Sequence, residues 1–138
     1  MFYVVFFALL FILFTIALAA WTFAPWVPMR KRDLQRVFAL ASLKPGEIFY
    51  DLGCGDGRVV VYAAKNFNAR SIGIEMALPL FWLCELRRVF AGSKNIIFKW
   101  KDLFKEDLSN ADVVYFFGVP QSIKNKLRQK LERELKPG

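Results

Sequence analysis

The chain contains no histidine. That single absence removes imidazole acid/base catalysis and imidazole metal ligands together. Cysteine is scarce too, with Cys54 and Cys84 only, and the two form no metal-binding spacing. Cys54 falls in a glycine-rich turn and Cys84 on a predicted helix, so no disulfide is expected and a reducing compartment fits. No metal is expected. Internal repeats and low-complexity tracts are absent. Acids are outnumbered, 12 against 20 Lys and Arg, for a net charge of +8. A basic balance can mean nucleic acid, but these residues are scattered and lack a clustered aromatic platform. Basic flanks of a membrane protein facing the cytoplasm account for them better.

Charge is missing altogether from Phe2 to Ala20, and much of the chain's 56% hydrophobic content lies in its first 28 residues. A run near 20 apolar residues is long enough to span a bilayer as a helix. Trp21 and Trp26 stand where interfacial aromatics belong, and Arg30, Lys31 and Arg32 follow at once. Residues 1–22 therefore read as a transmembrane anchor, single-pass, with the rest of the chain in the cytoplasm or an equivalent compartment. A cleaved signal peptide is the rival, since Ala17-Leu18-Ala19 resembles a cleavage site; the missing basic n-region and the length of the run oppose it. Pro25-Trp26-Val27-Pro28 cannot continue a helix. Residues 23–30 read as a linker, or as a lid beside a pocket.

Residues 31–138 alternate helices and strands. Leu34, Val37, Phe38, Leu40 and Ala41 mark an opening helix expected to cover one edge of a sheet. Strands are expected at 48–52, 71–75, 95–100 and 111–118, with helices at 58–66 and 77–90 between them. Ile123, Leu127, Leu131 and Leu135 recur at every fourth position, the face of a last helix. Such alternation means a parallel α/β sheet with right-handed crossovers. The first strand ends Tyr50-Asp51-Leu52 and runs into Gly53-Cys54-Gly55-Asp56-Gly57-Arg58. Ligands collect at such strand tips, and the glycines permit positive φ and close backbone approach. The spacing differs from the dinucleotide fingerprint, and Asp51 and Asp56 would repel a pyrophosphate. An amino-acid-bearing cofactor suits the turn better.

The stretch Asp51 to Gly57 resembles motif I of the class I S-adenosylmethionine-dependent methyltransferases, which implies a Rossmann-like sheet and S-adenosyl-L-methionine as cofactor. Acids also end the second strand, at Glu75, and follow the third, at Asp102. With Asp51 on the cofactor's ammonium, Glu75 is placed for both ribose hydroxyls and Asp102 for the adenine amine, with the backbone of Leu103 on the ring. Gly53, Cys54, Gly55, Asp56, Gly57, Met76 and Trp26 complete the expected cofactor site, Cys54 as a small packing residue. Taken separately, Asp102 reads equally well as a helix cap. Asp107 reads as a loop acid and Asp112 as an entry residue of the fourth strand.

From Pro25 through Asp102-Leu103-Phe104 and Phe117-Gly118-Val119-Pro120 to Leu135, the chain is similar to the membrane-anchored protein-lysine methyltransferases of the ATP synthase c-subunit and adenine nucleotide translocase type. That likeness implies methyl transfer to a protein lysine, with Gly118, Val119 and Pro120 on the acceptor side and Trp26 and Tyr115 near. Lipid or quinone methylation is the alternative, as is a non-catalytic cofactor-binding module. Class I enzymes resemble a seven-strand sheet, so the sheet is expected to lack its C-terminal strands here and the sequence to be a fragment.

Overall fold

The computed structural model describes residues 1–22, 27–118 and 123–137. Helix α1 (Phe2–Thr22) is followed by α2 (Lys31–Ala41), β1 (Ile48–Leu52), α3 (Arg58–Phe67), β2 (Arg70–Glu75), α4 (Leu78–Ala91) and β3 (Ile96–Trp100). A 3-10 turn (Leu103–Lys105), β4 (Val113–Phe116), a π turn (Ile123–Leu127) and α5 (Arg128–Glu134) complete the order. The last apolar series is thus a π turn and a short helix rather than one helix. β4 is also shorter than the run 111–118 suggested, because Phe117 and Gly118 leave the ladder.

The four strands are parallel in the order β3-β2-β1-β4. Asp51 stands opposite Gly73 on β2 and Tyr115 on β4. β1 is therefore central, and its tip opens where the strand order reverses, between β2 and β4. A crevice at that switch point is where an open α/β sheet takes a ligand.

Side chains alternate across β1 with the period of a strand. Tyr50 and Leu52 join Ile72, Ile74, Leu103, Leu108 and Leu127 on one face, under the segment that ends in α5. Phe49 enters the other face with Leu34 and Phe38 of α2 and Val59 and Ala63 of α3. The opening helix accordingly packs on a sheet face, against β1, α3 and the β4 residues Val113 and Tyr115, and not along an edge. Asp112, at the entry of β4, accepts hydrogen bonds from the Ile48 amide at 2.8 Å and from Lys136 at 2.9 Å. It pins β4 beside β1.

Helix α1 is 21 residues of almost wholly apolar sequence. It meets the domain at Thr15, whose hydroxyl donates to the Ile12 carbonyl at 2.8 Å and accepts the Leu78 amide at 3.3 Å. Leu78 opens α4, which has no cap from its own Ala77, so a residue of α1 serves as the cap. Among the described residues no helix is long and apolar enough to cross a membrane.

Candidate cofactor site

The tips of β1, β2 and β4 and the loop after β3 surround a cavity of about 460 Å³. Asp51, Gly53, Cys54, Gly55, Asp56, Glu75, Met76, Asp102 and Leu103 all line it, so most of the residues expected to hold the cofactor do meet at one cleft. Gly57 and Gly118 are not among its lining residues. Trp26, Val119 and Pro120 lie outside the described residues.

Each acid is held differently. Asp51 is 2% exposed. Burial comes first, then the nearby Glu75 and Asp56 carboxylates, in lifting its proton affinity well above that of an ordinary carboxylic acid. Among the described residues it makes no ion pair, so a cationic ligand group entering the cavity would meet a carboxyl lacking a counter-ion.

Glu75 at the tip of β2 ties the site together. One oxygen accepts the Gly55 amide at 2.8 Å, and the other accepts the Met76 and Ala77 amides at 2.9 and 2.7 Å. Burial raises its pKa, and these three backbone N–H groups oppose the rise. A carboxylate offers about four acceptor positions, so three amides leave room for one further donor. Glu75 therefore fixes the glycine turn and α4 at once, while still facing the cavity.

Asp102 caps the 3-10 turn, with Oδ1 accepting the Phe104 amide at 3.0 Å. The cap and the cavity-lining position coexist, because the cap is made with one oxygen.

Asp56 is committed to protein. Its carboxylate receives Arg58 Nη2 at 2.7 Å and Arg87 Nη2 at 2.8 Å, and its carbonyl receives Arg87 Nε at 2.9 Å. Burial alone would raise its pKa, but the Arg58 hydrogen bonds and both guanidinium charges bring it below the usual value.

The glycines divide the same way. Gly53, Gly55 and Gly57 all have positive φ. A Cβ on Gly57 would stand 2.6 Å from Phe98 Cζ and 3.0 Å from Cys84 Sγ, so this glycine lets α3 close on the sheet. The Cys54 and Cys84 sulfurs lie 3.8 Å apart as buried free thiols. Burial pushes the Cys54 thiol well up, which suits packing and not attack.

The remaining wall comes from the described part of the 23–30 segment, from Tyr115, and from residues of α1, α4 and the end of β4 that the sequence did not single out for the site. Val27, Pro28 and Met29 close one side, and Arg58 Nη1 donates to the Met29 carbonyl at 2.9 Å. One guanidinium thus binds both the glycine turn and the segment that follows α1. A signal for this was present: Arg58 opens α3, where the helix dipole disfavours a cation unless an acid answers it. Ile16 of α1, Leu80 of α4 and the aromatic pair Tyr115 and Phe117 supply apolar surface.

Known proteins resemble this chain in sequence and in fold. The family model described as the ANTKMT methyltransferase domain matches residues 51–138. A protein-lysine N-methyltransferase of Saccharolobus islandicus is 35% identical over 83% of this chain and 71% of its own length. The human lysine N-methyltransferase of the ATP synthase c-subunit is 35% identical over 80% of this chain, which spans only 47% of it. Among solved structures, an RNA methyltransferase from Salinibacter ruber in complex with S-adenosyl-L-homocysteine superposes with a TM-score of 0.77 at 38% identity. That match covers 81% of this chain and 73% of the other. With a parallel sheet, a glycine turn and three acids around one crevice, this chain belongs to the ANTKMT methyltransferase family.

Proposed function

We propose that the chain transfers methyl from S-adenosyl-L-methionine to a lysine amine of a protein, with α1 as its membrane anchor. The observation that carries the cofactor reading is Asp51, buried without an ion pair among the described residues at the wall of the cavity that Glu75 and Asp102 also line. Asp51 would receive the cofactor's ammonium, Glu75 its ribose, and Asp102 and Leu103 its adenine. Gly53 and Gly55 leave the backbone room to approach. When bound, the cofactor supplies an electrophilic methyl on a sulfonium, and the protein supplies position and electrostatics. The acceptor lysine must arrive neutral. Tyr115 and Phe117 at the tip of β4 provide an apolar wall, and desolvation favours loss of the lysine proton to water. Gly118, Val119 and Pro120 follow directly in sequence, which supports their acceptor-positioning role.

Protein lysine is favoured as acceptor by the names of the archaeal and human relatives. The anchor is supported by the sequence, which carries no charge from Phe2 to Ala20. The cation cluster Arg30, Lys31 and Arg32 then faces the cytoplasm. Two measurements test the reading. Calorimetry with S-adenosyl-L-homocysteine must show binding by the folded chain; none would end the enzyme assignment. Labelled methyl from the cofactor, separated into protein, lipid and RNA fractions, must appear in protein at lysine. Label in lipid or in RNA would leave the methyltransferase standing with a different acceptor.

A further inference from the structure

Helix α4 is apolar on two opposite sides. Cys84 is fully buried beneath it, while Trp82, Leu83, Leu86, Val89 and Phe90 point outward, with Val89 68% and Phe90 80% exposed. At 100° per residue these five fall within an arc of about 120° that contains no charge. A helix that packs once on a sheet should turn a polar face to water. A helix apolar all round is buried by something else.

The N-terminus of α4 adjoins α1. The Thr15 hydroxyl holds the Leu78 amide, so α4 begins at the side of α1, and Ile16 and Leu80 line the same cavity. From Thr15 to Thr22 the chain advances about 10 Å along α1. The start of α4 therefore stands about two helical turns from the end of α1, near the boundary that an anchor ending at Thr22 would set. At the tip of β3, Trp100 donates its indole N–H to the Met76 carbonyl at 2.8 Å and leaves its ring half exposed. A tryptophan with its polar end satisfied and its ring outward suits that layer.

We propose that the outward face of α4 lies in the lipid headgroup–acyl boundary beside α1, so that the domain rests on the bilayer with its cofactor cavity at the membrane surface. This rests on the reading of α1 as an anchor. The convex ridge of a single helix, continuous with an apolar helix, favours lipid over a protein partner, which would need a groove to receive it. Its consequence is a restriction on substrate: the acceptor lysine must lie within a few residues of the membrane surface.

The test uses the full chain reconstituted into vesicles of phosphatidylethanolamine and phosphatidylglycerol. An environment-sensitive fluorophore is placed through Leu86→Cys, Val89→Cys or Phe90→Cys, and through Leu40→Cys on α2 as a fully solvated control. Retained S-adenosyl-L-homocysteine binding reports that each variant is folded. Flotation with the vesicles reads α1 separately from α4. The expected result is flotation, blue-shifted emission at 86, 89 and 90 with quenching by nitroxides carried on shallow acyl positions, and water-like emission at 40. Flotation with water-like emission at all four positions overturns the docking of α4 while leaving the anchor intact. Failure to float overturns both. Emission that shifts at α4 without nitroxide quenching, together with cross-linking between copies, assigns the face to a second chain and also overturns the proposal.

Discussion

Replacing Asp51 with Asn should separate the cost of the site from its use. The Asp51 carboxyl is 2% exposed, and burial together with Glu75 and Asp56 makes its charged form unfavourable. Asn keeps the shape and removes the charge, so the ligand-free variant should melt at a higher temperature than the parent. Binding should move the opposite way. A hydrogen bond to a charged group is worth about 1.5–3 kcal/mol, which corresponds to a loss of about 10- to 150-fold in affinity for S-adenosyl-L-homocysteine. The pH dependence follows from the sign of the shift. With its folded pKa raised, Asp51 stabilises the ligand-free fold below the ordinary carboxylate range, and that contribution fades as pH rises through the folded value. Glu75, also raised by burial, acts in the same direction. A cationic ligand needs the ionised carboxylate, so parent affinity should climb over this window while that of the Asn variant rises less. Calorimetry at several pH values, paired with thermal melts, reads both effects. Parent-like affinity in the variant, or a lower ligand-free melting temperature, would refute the assignment of Asp51 to the ligand's ammonium.

Gly57→Ala should cost about 2–5 kcal/mol in urea unfolding, from the positive φ and from a Cβ 2.6 Å from Phe98 Cζ; a loss under about 1 kcal/mol would show that Phe98 yields easily. Glu75→Gln turns an acceptor toward at least one backbone amide into a donor, so stability should fall by about 1–3 kcal/mol and cofactor affinity with it. An unchanged melting temperature there would mean that Glu75 does not hold the turn. Glu106 is buried against Lys99, Lys101 and the Tyr50 hydroxyl; burial opposes its ionisation, but the lysine hydrogen bonds lower its pKa. Its stabilisation is complete above the ordinary carboxylate value and lost as pH falls through the folded one. Melts of Glu106→Gln between neutral and acid pH should therefore show a flatter acid limb than the parent.

What the sequence determined by itself was the order of elements and the chemistry at the strand tips. Ile48–Leu52 is legible because a short apolar run ending Asp-Leu-Gly allows a strand and a turn and little else. Asp51, Glu75 and Asp102 were legible as a set because parallel strands bring their ends to one side of a sheet. Tertiary structure decided which of these groups remain available. Asp51 and Asp56 look alike in sequence, yet Asp56 is claimed by Arg58 and by Arg87, 31 residues away. Asp51 instead faces the cavity, and among the described residues it makes no ion pair. Gly57 likewise belongs to the motif but serves Phe98, a residue of β3, because its neighbours are set by the sheet and not by the turn. Local pattern fixes backbone direction and burial period; the partner of a charge, and the side of a helix left uncovered, depend on residues distant in the chain.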